Sequence, residues 1–466
     1  MTSSPLRPPS SLSSARVDEL VEEVARIDAS PPLSAPMAGG RAPVHVVYGG
    51  AHLYRKGSAA KLGKIARAAM ETWGKDDHAF AKVVGSKDDR IAGELARRVR
   101  EKLDRDPIEK TCIDFEDGFG PRPDAEEDAE AVRTASELAS EPGAAGPIVG
   151  IRIKALGAAT ARRGIRTLDT FLTTLARATG GKLPDGFTVT LPKVARPQEV
   201  AMLAALLSEL EQGLGFPSGG RARIGIELMI ETPRALIDEA GRIALPALVA
   251  AADGRCVAAH LGAYDLTASL GVTAGEQRLD HPACDAARLL MQLSLAGTGV
   301  DVVDGATTVL PIARHRETAD APLSEAQRAI NAGDVVSAWE LHAAAVRRAL
   351  ALGIYQGWDL HPAQLPARYG AVYAFFLAER TTMATRLRGF VAKATQATRS
   401  GQIFDDAATG QGLLELFVRG VACGALSDED VKATSLSLDE LRARSFARIV
   451  ASRSGSAPPG GSPGEP

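Results

Sequence analysis

The residues best suited to chemistry stand at the ends of apolar runs. Residues 224–231, IGIELMIE, are typical of a buried strand that ends in Glu231, and Thr232 and Pro233 after it suit the start of a helix. A carboxylate at the C-terminal end of a buried strand either pairs with a neighbouring cation or binds a ligand. The run alone leaves both roles open.

Polar side chains end several other runs of this kind. They are Asp114, Glu116 and Asp117, then Arg152 and Lys154, then Lys193, then His260 and Asp265, and finally Asp359 and His361. Carboxylates that face a few cations are what a divalent metal with an anionic substrate requires. The cations are too few to pair with every carboxylate, which favours a binding site.

Glu231 and Asp265 are the best metal candidates among them. Two carboxylates and the oxygens of a substrate suffice for Mg²⁺, which keeps several of its waters. Zinc is less favoured because no Cys/His cluster is present. The structural alternative for each carboxylate is an ion pair with an arginine or a helix cap.

Arg152 and Lys193 are the cations that could act on a substrate. A guanidinium late in an apolar run can hold a carboxylate at two points or stabilise an enolate oxygen. The alternative for Arg152 is a buried ion pair with Glu116 or Asp117. Lys193 could form a Schiff base, but a charge partner for a carboxylate is the favoured role.

Gly262, Ala263 and Tyr264 precede Asp265 and are candidates for substrate binding. A glycine here would let backbone N–H groups approach a substrate carboxylate, although a turn is the commoner use of glycine. His361, in DLHP, is a candidate for proton transfer. We expect it rather to bond to the backbone at the end of the strand.

The elements that must position these residues alternate along the chain. Helical patterns such as SAAKLGKIARAAMETW and PQEVAMLAALLSELEQGL separate apolar runs, which predicts a parallel sheet with helical crossovers. A count near eight favours an α/β fold of the TIM (β/α)8 barrel type over an open doubly wound sheet. The runs are 43–50, 111–118, 147–156, 187–194, 224–231, 256–262, 300–305 and 353–362.

The chain divides into four predicted segments. The first contains a helix from Ser14 through Val24, and the third is expected to pack on or over the barrel mouth. Residues 310–340 are interpreted as an insertion in the barrel. The segments are 1–40 (tail and helix), 41–365 (barrel), 366–452 (C-terminal helical region) and 453–466 (disordered tail).

Composition excludes several classes of partner. The formal net charge of −3 gives no basic field for nucleic acid or an anionic membrane, and 5% aromatic residues offer few stacking platforms. Four widely spaced cysteines without a CxxC motif indicate neither a zinc site nor a disulfide framework. No signal-peptide core and no apolar run of about 18 residues is present, so a cytoplasmic protein is expected.

Six motifs occur in one order along roughly residues 43 to 370. They are IDFEDGFGPRPDAEEDAEAVR, IRIK, LPKV, LMIETPRAL, HLGAYDLTASLG and DLHPAQLP. Together they resemble the citrate lyase β-subunit / HpcH/HpaI aldolase superfamily. Six such motifs at barrel-strand spacing are specific for the superfamily but not for a substrate.

The resemblance implies a TIM barrel that binds Mg²⁺ or Mn²⁺ between Glu231 and Asp265. It also implies that Arg152 binds a 2-keto acid and its enolate, and that Glu116 and Asp117 lie behind the metal ligands. Lys193 and His361 would belong to the same surrounding layer. Relatives are usually trimers or hexamers, so a homo-oligomer is expected.

A further segment, SGQIFDDAATGQGL, resembles the DAAT-containing motif of malate synthases, whose barrels belong to the same superfamily. Asp406 matches the base of that family, which removes a proton from the methyl group of an acyl thioester. The alternative is that Asp405 and Asp406 merely begin a helix.

The chain also departs from these relatives. Its first strand, HVVYGGAHLY, lacks their arginine- and proline-containing start, and Lys154 stands where many carry asparagine. Whether an acyl-CoA is used therefore stays open. The predicted function is a metal-dependent carbon–carbon lyase or aldolase acting on a small 2-keto or 2-hydroxy acid or its acyl-CoA thioester. The alternatives are a Claisen condensation of acetyl-CoA with glyoxylate and a non-catalytic barrel that acts as a binding protein.

Overall fold

A closed barrel of eight parallel strands forms the centre of the computed structural model, which describes residues 13–28, 43–141, 146–217, 223–318, 322–399 and 406–455. The strands follow chain order around the barrel, and β1 closes it by pairing with β8. Each strand overlaps one predicted run, so the TIM barrel is confirmed. The strands are β1 (His45–Gly50), β2 (Lys110–Asp114), β3 (Ile148–Arg152), β4 (Thr188–Leu191), β5 (Gly225–Ile230), β6 (Cys256–Leu261), β7 (Asp301–Asp304) and β8 (Gln356–Asp359).

Helices surround the barrel and follow its last strand. Two of them, α2 and α7, span the residues predicted from their apolar spacing. The helices of the described residues are α1 (Ser14–Asp28), α2 (Ser58–Trp73), α3 (Asp77–Val83), α4 (Ala92–Arg105), α5 (Asp124–Ala139), α6 (Ala161–Thr179), α7 (Pro197–Leu214), α8 (Pro233–Leu236), α9 (Leu245–Ala251), α10 (Ala263–Ser269), α11 (Pro282–Leu295), α12 (Glu325–Ala351), α13 (Leu365–Arg399), α14 (Ala407–Ala422), α15 (Asp428–Lys432), α16 (Leu438–Arg442) and α17 (Phe446–Ser454).

Burial explains why the strands are apolar on both faces. Their outward side chains pack under the helices in two large clusters, one around α5, α6, α7 and α11 and one around α2, α4, α12 and α13. Their inward side chains form a smaller cluster inside the barrel, with Tyr48, Met229 and Val303 among its members. A strand buried on both sides is expected in a parallel sheet covered by helices.

The C-terminal helices extend to the end of the barrel opposite its mouth. The Tyr369 hydroxyl of α13 donates to the carbonyl of Pro107, before β2, at 3.0 Å. Arg419, near the far end of α14, borders a cavity of about 410 Å³ with Asp301 and Gln356, the first residues of β7 and β8. The expectation that this region packs over the mouth is therefore wrong for that end of α14. A 35-residue helix, α13, is about 50 Å long and carries the chain past the barrel.

Other boundaries also differ from expectation. Near the end of the predicted helical region, α16 and α17 are separate helices, because Arg444 has a φ of +52° and Ser445 caps α17. Residues 325–340, the second half of the predicted insertion, belong to α12. Arg453 and Ser454 end α17, whereas the tail from residue 456 lies outside the described residues.

Two further features of the chain are the apolar character of its helices and the state of its cysteines. Across the part of the chain that the structure describes, no helix has the length and apolar character needed to cross a membrane. Cys112, Cys256, Cys284 and Cys423 are all buried, and none of these four described residues takes part in a disulfide.

Candidate active site

Arg152 and Asp114 end neighbouring strands and contact each other at the mouth of the barrel. The register of β2 and β3 pairs the two residues directly. Arg152 donates from Nε to Asp114 Oδ1 at 2.7 Å and from its terminal nitrogen Nη2 to Oδ2 at 2.5 Å. Its other terminal nitrogen, Nη1, lies 3.5 Å from Glu116 and 3.6 Å from Asp117. The main ion pair is therefore with Asp114 rather than with either expected partner.

Asp114 also shapes the loop after β2. It accepts hydrogen bonds from the backbone N–H of Glu116 at 2.9 Å and of Gly118 at 2.7 Å. A Cβ on Gly118 would lie 2.5 Å from Asp114 Oδ2, so this close approach requires glycine. Asp114 thus fixes both the arginine and the acidic loop.

Lys193, which follows β4, contacts the segments that follow β2 and β6. Its ammonium contacts Glu116 and lies 3.1 Å from Asp117 and 3.4 Å from Asp265. Burial alone would lower the pKa of Lys193. The hydrogen bond with Glu116 and the negative charge of the surrounding carboxylates outweigh burial and raise this pKa. The amine stays protonated, which disfavours a Schiff base and supports the favoured role as a charge partner.

Glu231 follows β5 and is almost completely buried. It is 3% exposed, and its Oε1 accepts the backbone N–H of Lys193 at 2.6 Å. Burial raises the pKa of Glu231 to about 8; Arg152 opposes this shift and the negative charge of Asp265 adds to it. As expected, Thr232 caps the next helix, α8, and Pro233 is its first residue.

Gly262 lies against Glu231 for a steric reason. A Cβ on Gly262 would lie 2.3 Å from the Cβ of Glu231 and 2.6 Å from its Oε2. The N–H of Gly262 itself donates to the carbonyl of Ile230 at 3.0 Å. Ala263 begins α10, and the Tyr264 hydroxyl donates to the carbonyl of Ala306 at 3.1 Å.

His361 and Asp406 are not joined to this cluster. His361 Nδ1 accepts the N–H of Ala363 at 3.2 Å, as expected for a residue that bonds to the backbone, and burial lowers its pKa. Asp406 is exposed at the start of α14, and no contact with Glu231 occurs within the described residues. Asp405 lies outside them.

The donor atoms of the cluster suit a hard divalent cation. In the described ranges no three His, Cys, Asp or Glu side chains are grouped as a ready-made metal site. The Lys193 ammonium, however, lies between Glu116, Asp117 and Asp265, and it marks a place where these carboxylates attract positive charge. Oxygen donors alone, together with a buried Glu231, fit Mg²⁺ or Mn²⁺ better than zinc.

Two aromatic residues at the site were not found from the sequence. The Arg152 guanidinium lies 5.2 Å from the ring centroid of Tyr48 and 5.9 Å from that of Trp358. Both rings point into the barrel because inward side chains alternate along β1 and β8. That alternation is the sequence signal that could have located them.

Comparison with known proteins identifies the family. A family model described as "Domain of unknown function (DUF6986)" matches residues 33–449, and the chain belongs to this family. No curated protein matches the chain.

Several solved structures are similar to this chain. A citrate lyase from Burkholderia xenovorans is 18% identical, with 85% of this chain and 97% of that chain covered and a TM-score of 0.49. A malate synthase from Haloferax volcanii is 13% identical, with 84% and 99% covered and a TM-score of 0.42. An HpcH/HpaI aldolase/citrate lyase family protein from Burkholderia cenocepacia is 15% identical, with 70% and 91% covered and a TM-score of 0.35.

These structures come from the superfamily that the sequence motifs indicated.

Proposed function

We propose that this protein is a metal-dependent carbon–carbon lyase that acts on a 2-keto or 2-hydroxy acid, or on its acyl-CoA thioester, through an enolate. The observation that carries the proposal is the convergence of Glu231, Asp265 and Arg152 on one end of the barrel beside Lys193. The Lys193 backbone binds Glu231, and its ammonium lies near Asp265 and near Asp117, which Arg152 also approaches. Strand ends of a (β/α)8 barrel are where such enzymes place their chemistry.

Glu231 and Asp265 would hold Mg²⁺ or Mn²⁺. When bound, the metal supplies a Lewis acid that polarises the keto oxygen of the substrate. The positive charge of Lys193 would balance the negative charge of the neighbouring carboxylates. Because Lys193 stays protonated, it can also attract the carboxylate of the substrate.

Arg152 would stabilise the negative oxygen that develops when the carbon–carbon bond breaks. Asp114 holds its Nε and one terminal nitrogen, so the remaining nitrogen, Nη1, is the one available to a substrate. A guanidinium fixed in advance by an ion pair reorganises little during reaction, which is the condition for electrostatic stabilisation.

The Claisen alternative requires a base at the acyl carbon, for which the sequence offers Asp406. Asp406 is exposed, and no hydrogen bond or ion pair joins it to the Glu231 cluster among the described residues. The lyase is therefore the better supported of the two. Proton exchange in it falls to water, since His361 bonds to the backbone and is not joined to the cluster.

Exchange of the methyl protons of pyruvate in D₂O, followed by proton NMR with Mg²⁺ present, tests enolate formation without knowledge of the second product. The wild type should exchange these protons, and Glu231→Gln should slow the exchange by about 100-fold. The exposed Glu239→Gln is the matched control and should behave as the wild type. Exchange no faster than in buffer, or unchanged in Glu231→Gln, would contradict the proposal and favour a non-catalytic barrel.

A further inference from the structure

A charged pair is buried inside the barrel below the proposed site. Lys110 of β2 is 1% exposed and its ammonium contacts Glu227 of β5, which is 0% exposed. The Thr190 hydroxyl donates to the second oxygen of Glu227 at 2.9 Å. Although burial opposes it, Lys110 and His260 hold the pKa of Glu227 below its usual range, so the carboxylate stays charged.

His260 of β6 lies between this pair and the mouth of the barrel. Its Nδ1 is 2.9 Å from the indole nitrogen of Trp358, which can only donate a hydrogen bond. Nδ1 must therefore be the unprotonated nitrogen, and Nε2 carries the proton toward Glu227, at 3.4 Å. Burial lowers the pKa of His260, in keeping with a neutral ring.

Trp358 and Tyr48 form a stacked pair beneath Arg152. Their ring centroids are 4.4 Å apart with an interplanar angle of 26°. The Arg152 guanidinium lies over both rings, an arrangement favoured by cation–π attraction. Tyr48 is buried, whereas Trp358 is half-buried.

We propose that Trp358 is the floor of the substrate site, in contact with the carbon chain of a short 2-keto acid, and that His260 is the positioning residue that holds Trp358 there. The identity of the ligand rests on the proposed function, whereas the His260 arrangement does not. A keto acid whose oxygens face Nη1 of Arg152, the nitrogen that Asp114 does not hold, would place its carbon chain next to this ring.

The hydrogen bond to His260 gives the indole ring one orientation. A ring at the end of a strand can otherwise turn about its side-chain bonds. Glu227, held by Lys110 and Thr190, lies 3.4 Å from Nε2 of His260 and attracts its proton, so the orientation of His260 is linked to a charged pair deep in the barrel. Arg152 then lies on a surface that is already formed before a ligand arrives.

Tryptophan fluorescence tests the contact with the substrate. The chain contains three tryptophans, and only Trp358 belongs to the Arg152 cluster, whereas Trp73 lies on α2 and Trp339 on α12. Titration of oxaloacetate or pyruvate with Mg²⁺ should change the emission of the wild type and of the control Trp73→Phe, but not of Trp358→Phe. Calorimetry on the same samples separates the outcomes. Calorimetric binding without a change in emission overturns the floor alone, whereas no binding overturns the proposed function and the floor with it.

Variants of His260 test the positioning role. His260→Gln keeps one acceptor and one donor, whereas His260→Leu keeps neither. Keto-acid affinity should stay within about threefold of the wild type in His260→Gln and fall by about tenfold in His260→Leu, the range of one buried hydrogen bond. Equal affinities in the two variants would overturn the role.

Nitrogen NMR of ¹⁵N-histidine protein gives a readout that needs no ligand. It should show His260 protonated at Nε2 only, with a shifted Nδ1 signal in Trp358→Phe, which keeps the stacked ring but loses the donor. A proton on Nδ1 in the wild type would overturn the arrangement even if His260→Leu fails to fold.

Discussion

At the scale of single residues, Glu231 is the group whose environment is least compatible with a merely structural carboxylate. It is buried, it has a raised pKa, and the backbone N–H of Lys193 is its one hydrogen-bond donor among the described residues. A structural carboxylate would be paired and would have a lowered pKa, as Glu227 has. Glu231 instead has room for a cation or a proton.

The pKa of Glu231 predicts how stability depends on pH in the metal-free protein. Its value of about 8 lies above the ordinary 4.5, so the protonated carboxyl favours the folded state. That contribution is complete below about pH 4.5 and is lost as pH rises through about 8. Relative to Glu231→Gln, the free energy of unfolding of the wild type should fall by on the order of 2 kcal/mol between about pH 5 and pH 9. Urea unfolding of both proteins in EDTA measures this, and parallel pH profiles would contradict it.

The sequence was sufficient to locate the charged residues but not to pair them. Glu231, Asp265, Arg152 and Lys193 end strands or follow them, and every strand of a parallel barrel ends at the same mouth. The bond between Arg152 and Asp114 depends on the register of β2 and β3, which no local pattern contains. The buried Lys110–Glu227 pair was missed for the same reason.

At the scale of elements, Asp359 fastens β8 to its neighbours. It is fully buried and lies 3.3 Å from His45 of β1, 2.9 Å from His342 of α12 and 2.7 Å from Arg368 of α13. Although burial opposes it, Arg368 and the two histidines hold the pKa of Asp359 well below its usual range. This carboxylate closes the barrel where its first and last strands meet.

Asp359→Asn should therefore destabilise the protein strongly. Removal of one partner leaves the Arg368 guanidinium buried without a counter-charge, which costs about 3–5 kcal/mol. Denaturant unfolding measures the change, and the exposed Asp185→Asn serves as the control with no expected effect. A loss below about 1 kcal/mol would mean that Asp359 is not the group that compensates Arg368.

Elements with strong apolar spacing could be predicted, and those defined by one unusual dihedral could not. α2 and α7 begin and end where the pattern indicated, since their apolar positions recur on one face. The break between α16 and α17 depends on the positive φ of Arg444. Arginine gives no sign of such a turn, because glycine or asparagine is the usual residue there.

At the scale of the whole molecule, the C-terminal helices share a core with the barrel. Phe417 of α14 and Tyr373 of α13 belong to the same buried cluster as Leu95 and Val99 of α4. Arg98 of α4 reinforces this contact by pairing with Asp430 of α15 at 3.0 Å. The barrel and the helical region should thus unfold together.

Phe417→Ala tests this shared core. Phe417 is completely buried, so its truncation should cost about 3–5 kcal/mol while unfolding remains a single transition. Phe375→Ala, which removes a 36%-exposed ring from α13, should cost much less. Scanning calorimetry that resolved a separate, low-temperature transition for Phe417→Ala would contradict a common core.

The path of the C-terminal region was beyond reach of the sequence. The sequence predicted a helical region over residues 366–452, but the direction of α13 relative to the barrel depends on which cluster its apolar face joins. Apolar spacing gives the face of a helix and not the neighbour that it will meet.

The central claim is that Glu231 belongs to a site that binds a keto acid through a divalent metal. Calorimetric titration of Mg²⁺ with oxaloacetate, pyruvate or glyoxylate into the wild type and into Glu231→Ala tests it most directly. We predict that the keto acid binds the wild type only when Mg²⁺ is present, and that Glu231→Ala loses this binding. Absence of binding in the wild type, or equal binding in Glu231→Ala, would contradict the claim and leave the carboxylates at the barrel mouth with a structural role alone.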